Sequence, residues 1–349
     1  MKIGIVYRKS KEYSEKDKTD LLISELSSII TSFGFEVTAI PIHQDPIKDL
    51  EKINVDFVLN LYKDDALHKG TLEPHISALL DVIDIPHSGS DFNCITTCID
   101  KARTKEILSY YKIRTPKFQV FKTGLEKLNR KLTFPLFVKP CFGDDGEGIT
   151  EESIVHTEEE LFKEVDTIHK NFKQSALVEE YIDGREIIVC VIGNKQKIVL
   201  PLYEISFENY PEGKEKIHSH KAHSVTTSIE YKNKLIKCPT ELPKAVEATI
   251  KRISLKLFDL LSLNDYARID FRIDKTGTPY VLDVSSHPNI SEDGILAKMC
   301  DVMGLSYDQA VYLILKNAME RAGIARKRLP AKPNTQIQRS IKEYEQKDQ

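Results

Sequence analysis

Neither sign of charge prevails in this chain. Lys and Arg number 50 against 53 Asp and Glu, a net charge of −3, so there is no bulk electrostatic case for nucleic acid or for an acidic membrane as partner. No apolar stretch reaches the ~18–20 residues that a membrane helix needs. The opening "MKIGIVYRKS" has too short an apolar segment for a signal peptide and no small-residue cleavage site. Cysteines are few and scattered. Only Cys94 and Cys98 lie close, and Cys141, Cys190, Cys238 and Cys300 supply no second pair to complete a zinc site. The expectation is reduced thiols in a cytoplasmic protein. No internal repeat or low-complexity run is visible. What remains is a globular composition, 41% hydrophobic and 30% charged over 349 residues, enough for two or three domains.

The hydrophobic pattern gives those domains their elements. "KIGIVY", "FEVTAIPI" and "VDFVLNLY" read as strands, with a helix over 17–33 that stops at Gly34 and another in "EPHISALLDVI". Strands alternating with helices imply a parallel α/β sheet up to about residue 93. One helix is expected over 94–111, carrying "DKARTKEIL". Strands follow in "TPKFQVF" and "FPLFVKP", then a glycine-rich loop, "CFGDDGEGI", and a helix with an acidic first turn, "TEEELFKEVDTI". "SALVEEYIDGREIIVCVIGN" reads as strand, linker, strand, and "KIVLPLYEI" continues the β region. Residues 208–237 are polar and poorly periodic, a candidate mobile loop. "LPKAVEATIKRISLKLFDLL" and "YDQAVYLILKNAM" are amphipathic helices, and a hairpin turns at "DKTG". From 325 onward the chain reads as a loose charged tail.

Three segments carry chemistry. Asp270, in "RIDF", and Asp283, in "YVLDVSS", lie on the two strands of the hairpin, so a short turn brings both acids toward one point, with Ser285 on the face of Asp283. Two carboxylates and a hydroxyl suit Mg²⁺, a hard cation that keeps sites for phosphate and water. A cap and a turn acid is the plainer reading, and the hairpin alone leaves both open. Lys139 ends a strand before Gly143, Gly146 and Gly148, where backbone N–H groups and an ammonium could meet phosphate oxygens. The spacing is neither the Walker nor the dinucleotide pattern, and alone it is no more than a flexible turn. In "LVEEYIDGREIIV", Glu179 and Glu180 end a strand, the next backbone groups could serve a planar ring, and Glu186 could accept from a ribose. A hinge with solvated acids is the alternative. His218, His220 and His223 have no acid or cysteine to complete a metal cluster and read as a solvated loop.

The order of these features resembles the ATP-grasp ligases, and within them the D-alanine–D-alanine ligase family. "IPHSGSDFNCITTCIDKARTKEIL" resembles that family's link between its first two domains, and the likeness spans roughly 2–324. It implies an α/β ATP-grasp fold: a Rossmann-like N-terminal domain over 1–93, a central subdomain over 94–183 and a C-terminal subdomain over 184–324 enclosing the nucleotide, with the charged tail at 325–349. It implies ATP-dependent joining of a carboxylate to an amine through an acylphosphate. It implies Lys101 and Lys139 at the ATP phosphates, Glu179 facing the adenine amino group, the backbone of Glu180 and Ile182 near the ring, and Glu186 at the ribose. Lys221 would approach the γ-phosphate, and Arg268 would steady the phosphoryl group and the oxyanion. Asp270, Asp283 and Ser285 would hold Mg²⁺ or Mn²⁺. A homodimer is a further family-level expectation. The substrate halves depart from the family. No glutamate follows the first strand at a supported spacing, Glu12 and Glu15 being the candidates. Asp144 and Asp145 replace adjacent serines, Ser285 replaces an asparagine, Asn289 replaces a glycine and Gly294 replaces a serine. Other amino-acid or small carboxylate substrates, or nucleotide binding without ligation, therefore stay open.

Overall fold

The computed structural model describes residues 1–9, 13–64, 72–143, 146–210, 216–217, 233, 235–324 and 331–348, with the backbone alone at 13–17, 331–334 and 347–348. The first sheet is parallel, with β1 (Lys2–Arg8) between β2 (Glu36–Ile42) and β3 (Phe57–Asn60). Helix α1 (Tyr13–Ser32) buries Ile23, Leu26 and Ile30, and ends where Gly34 turns left-handed at φ +87. The five-residue α2 (Pro46–Leu50), capped by Asp45, is too short for periodicity to reveal, and α3 (Leu72–Val82) stands as expected.

The single helix expected over 94–111 is two helices, α4 (Phe92–Ile99) and α5 (Lys101–Tyr110). Asp100 breaks the run. Its backbone is extended and bridges to Phe142, and its carboxylate caps α5 by accepting from the Arg103 N–H at 3.0 Å. Both helices pack on the third sheet, where Cys94, Cys98 and Leu108 share a core with Ile187, Ile269 and Val284.

The second sheet is antiparallel, in the order β4 (Phe118–Phe121), β7 (Ala176–Glu180), β5 (Leu136–Pro140) and β6 (Ile154–Val155), and is covered by α6 (Glu158–Phe172) through Leu161, Val165 and Ile168. The third contains β8 (Gly184–Ile192), β9 (Ile198–Val199), β10 (Tyr203–Ser206), β11 (Leu235–Lys237), β12 (Tyr266–Asp274) and β13 (Pro279–Ser285). Its order is β11-β10-β8-β12-β13, with β9 on β8. Strand alternation divides its faces. Val189, Val191, Ala267 and Phe271 pack with α7 (Lys244–Leu260). On the other face, Cys190, Ile192 and Tyr266 join the large core of β1, α1 and the C-terminal helices, while nearer the other end of β8 the same face presents Glu186 and Ile188 to a cleft.

Helices α8 (Ile295–Val302) and α9 (Tyr307–Arg321) follow. Two expectations are corrected here. The segment read as a loose tail contains α10 (Ala331–Asp348), because Ile337 and Ile341, one turn apart in a charged sequence, form a narrow apolar stripe buried in the large core. Of the segment 208–237, the last residues form β11 on β10, since Leu235 and Lys237 pair with Ser206 and Glu204. Most of its remainder lies outside the described residues. All six cysteines are free thiols. No helix among the described residues is long and apolar enough to cross a membrane.

Candidate active site

The hairpin does what its turn requires. Asp270 stands directly opposite Asp283, and Arg268 opposite Ser285. A register shift after Asp270 leaves Leu282 as an extra residue on β13, and Leu282 lines the cleft. Each carboxylate already faces a cation. Arg268 donates from Nε and Nη2 to Asp270 at 3.0 and 3.1 Å, and Lys101 Nζ lies 2.5 Å from Asp283 Oδ2. Lys101 reaches this point because the break at Asp100 starts α5 there, with the Lys101 N–H donating to the Cys141 carbonyl at 3.0 Å.

The same cleft, about 1060 Å³ with open solvent included, also holds a buried ion trio. Glu179 Oε1 lies 2.8 Å from Lys139 Nζ, and Oε2 lies 2.7 Å from Lys105 Nζ. All three side chains are at least nine-tenths buried. Burial pulls the Lys105 ammonium down to about 8. Burial opposes the charge on Glu179 too, but the two ammoniums outweigh it and hold the carboxyl below its usual range. Proximity and hydrogen bonding disagree at Oε2. The Lys105 ammonium is near, but it donates to Thr115 Oγ1 at 2.7 Å, and Oε2 has no hydrogen bond of acceptable geometry. A buried carboxylate that lines a cleft keeps acceptor lone pairs beyond those facing its two ammoniums, and these fit a ligand N–H such as an exocyclic amine.

The linker after β7 and the start of β8 also line this cleft. Glu180 pairs with Lys117 at 3.0 Å. The Ile182 carbonyl and the Glu186 carboxylate both accept from Arg272. In the glycine loop, Gly143 and Gly146 line the cleft. Gly148 takes φ +72, and a Cβ there would come within 2.6 Å of the Pro140 ring.

Of the residues named from sequence, Lys101, Lys139, Glu179, Glu180, Ile182, Glu186, Arg268, Asp270 and Asp283 all line this cleft. Ser285 does not. It lines a smaller adjoining cleft that shares Lys101, Gly143 and Asp283, beside Asp64, Glu73 and His287. Lys221, Glu12, the side chain of Glu15, Asp144, Asp145 and His218, His220 and His223 lie outside the described residues. Gly294 precedes α8, and a side chain there would bring Cβ to 2.9 Å from the Ser291 carbonyl, so the turn itself resists the serine. Sequence reasoning missed Lys105, Arg272 and the His287–Glu73 pair (3.2 Å). The first two had a signal: Lys105 is one helical turn beyond Lys101, and Arg272 continues the strand alternation of Arg268 and Asp270. His287 and Glu73 meet only through the tertiary fold.

Among the described residues no three of His, Cys, Asp and Glu cluster closely enough to hold a metal. Asp270 and Asp283 fit a cation that takes two carboxylates and draws its other ligands from phosphate and water.

Residues 106–316 match the family described as D-ala D-ala ligase C-terminus. The protein y4sG of Sinorhizobium fredii is 31% identical over 71% of this chain and 70% of its own length. The D-alanine–D-alanine ligase of Syntrophotalea carbinolica is 29% identical over 85% of this chain and 90% of its own. In structure, the Bacillus anthracis D-alanine–D-alanine ligase complexed with ATP superposes with a TM-score of 0.73 at 25% identity, over 93% of this chain and 99% of that one. With a superposition that covers nearly the whole of both chains and a family match over more than half its length, the chain is an α/β ATP-grasp protein and belongs to the D-alanine–D-alanine ligase family of ATP-dependent carboxylate–amine ligases.

Proposed function

We propose that this chain binds ATP in the large cleft and uses it to join the carboxylate of one small amino acid or acid to the amine of another. The carrying observation is that the paired carboxylates Asp270 and Asp283 and the buried Glu179 line one cleft. Glu179 and the linker after β7 would take the base, Glu186 the ribose, and Lys101 and Lys139 the phosphates. Lys221 is assigned to the γ-phosphate on family resemblance alone.

A carboxylate is a poor electrophile at neutral pH. In the proposed reaction one of its oxygens attacks the γ-phosphorus, the bond from that phosphorus to the bridging oxygen breaks, and ADP leaves. The amine of the second substrate then attacks the acyl carbon, inorganic phosphate leaves, and the ammonium proton is lost to give the amide. This chemistry rests on positioning and charge neutralisation. Arg268, fixed by Asp270, would face the charge that develops on phosphoryl and acyl oxygens. Asp270 and Asp283 would hold Mg²⁺, which would neutralise phosphate charge. Ser285 can contribute no more than a neutral hydroxyl.

The smaller cleft adjoins the phosphate end, and we place the carboxylate substrate toward it. D-alanine is the default substrate for both positions by resemblance to the relatives' names. The experiment is phosphate release and product mass with ATP and Mg²⁺ across pairs of D- and L-amino acids. Turnover with at least one pair is expected. ATP binding without phosphate release for every pair would leave a nucleotide-binding protein, and no ATP binding would remove the reading altogether.

A further inference from the structure

Arg272 is a charged side chain only 4% exposed, and it lines the cleft beside the linker residues Tyr181 and Ile182. A guanidinium has five N–H groups in a rigid plane, and here all five are accounted for by protein acceptors. Nε and Nη2 donate to Glu186 Oε2 at 3.2 and 2.8 Å. Nη1 donates to the Ile182 carbonyl at 3.2 Å and to Tyr181 Oη at 3.4 Å. Nη2 also donates to the Lys216 carbonyl at 2.6 Å. Its Cζ lies 5.5 Å from the Tyr181 ring centroid and 5.2 Å from that of Phe207, within reach of cation–π attraction. Burial works against this charge, but Glu186 and Tyr181 keep it firmly protonated.

Two consequences follow. First, the fork has no N–H left for a ligand, so whatever Arg272 does to a nucleotide it does through the groups it holds. Second, those groups come from different parts of the chain: the linker between β7 and β8, the start of β8, the end of β10 and residue 216. Strand register brings Arg272 opposite Glu186 across β12 and β8, so the pair is built into the sheet. Burying a guanidinium is costly unless every donor is met, and an apolar side chain would fill the same core position at lower desolvation cost. The charge matters at this point because it orients a carboxylate and a linker carbonyl that border the cleft.

We propose that Arg272 is a positioning residue for ribose recognition: it fixes Glu186 and the linker carbonyl of Ile182 so that the ribose hydroxyls meet a preset acceptor. This rests on the ligase reading above and names the device by which its nucleotide site selects a ribonucleotide.

The test is equilibrium binding of ATP, 2′-deoxy-ATP and 3′-deoxy-ATP, with Mg²⁺ and without amino acids, to the wild type and to Arg272→Met, Arg272→Lys and Glu186→Gln. Wild type should prefer ATP over both deoxy analogues. Arg272→Met should lose tenfold or more in ATP affinity and much less for the analogues, so the preference collapses toward one. Arg272→Lys keeps the charge but not the planar fork and should fall between. In turnover the loss should appear in KM for ATP, with kcat within about threefold. Because Arg272 acts through Glu186, the Arg272→Lys/Glu186→Gln double variant should prefer ATP no less than Glu186→Gln does alone. The Lys variant and the double variant carry the test if Arg272→Met does not fold. An unchanged ATP-to-deoxy ratio in folded Arg272→Lys, or additive losses in the double variant, would overturn the proposal while leaving the ligase reading intact. Failure of the wild type to bind ATP would instead overturn the ligase reading.

Discussion

Lys105 shows how one buried side chain can govern a site it was not expected to join. It shares Glu179 with Lys139, and Thr115, Glu179, Lys139 and Asp283 are the groups that act on it. Replacing it by Met leaves the Glu179 carboxylate with one cation, and KM for ATP should rise tenfold or more, about 1.4 kcal/mol per factor of ten. The pH dependence has a definite sign. Lys105 is charged below about 8 and neutral above, so in the wild type KM for ATP should climb between pH 7 and 9. An arginine does not titrate there, and Lys105→Arg should flatten the climb. The same depressed ammonium acts on stability in the opposite sense. Between about pH 8 and the ordinary lysine range the unfolded chain holds the proton that the folded one has released, so this group's contribution to stability rises with pH. A flat KM profile in the wild type would remove Lys105 from nucleotide binding. The acids of the hairpin make a separate residue-scale prediction. Asp270→Asn and Asp283→Asn should each lose most turnover, with circular dichroism unchanged, because each substitution removes one of the two carboxylates proposed for the cation. Near-normal ADP formation in both would remove the metal assignment. These two acids were legible in sequence because a tight hairpin admits few registers. The cations that hold Glu179 and Glu186 were less so, since Lys139 and Arg272 reach them from neighbouring strands and Lys105 from α5, pairings that sheet register and the tertiary fold decide.

At the scale of elements, the break between α4 and α5 is the feature most closely tied to the site. Periodicity ran through 94–111 without interruption, and the break comes at Asp100, which pairs with Phe142 in a long-range contact and caps α5. Asp100 caps α5 at the residue before Lys101. Asp100→Ala should cost about 1 kcal/mol of stability from the lost cap, and it should also raise KM for ATP by loosening the start of α5 under Lys101. Asp100→Asn keeps an acceptor at the cap and should stay near wild type on both counts. Urea melts and ATP titration of the two variants separate a cap from a charge effect. If Asp100→Asn were as damaged as Asp100→Ala, the carboxylate charge rather than the cap would be what matters. The strands were read correctly where alternation or apolar runs were long, as in β8 and β12. The short α2, β6 and β11 were not, because two to five residues give no period to detect.

At the scale of the whole molecule, the first and third sheets share one large core, while the second sheet keeps its own with α6. The face of the third sheet that turns toward the cleft at Glu186 and Ile188 continues as Cys190, Ile192 and Tyr266 into a core shared with β1, α1, α9 and α10. The order of strands and helices, and with it the α/β class, was legible from the alternation of apolar segments. The closing role of α10 was not, because two isoleucines in a charged run look like a solvated helix until a groove is present to receive them. That role is open to measurement. Ile337 is fully buried and Ile341 nearly so, and Ser340 Oγ donates to the Gly304 carbonyl at 3.1 Å. Ile→Ala at a buried site costs about 2–5 kcal/mol when the cavity cannot collapse. A charged helix docked through two isoleucines can peel away instead, which caps the loss at the free energy of docking it. Ile337→Ala should therefore lower stability by about 2 kcal/mol, and Ile337→Ala/Ile341→Ala by less than twice that, since once the helix is undocked the second change removes nothing. Hydrogen exchange should locate the weakening in α9 and α10 before β8 and β12, leaving ATP binding at low temperature unaffected. Full additivity of the two substitutions, or an equal loss of ATP affinity, would show that α10 is instead an inseparable part of the cooperative core that holds the cleft.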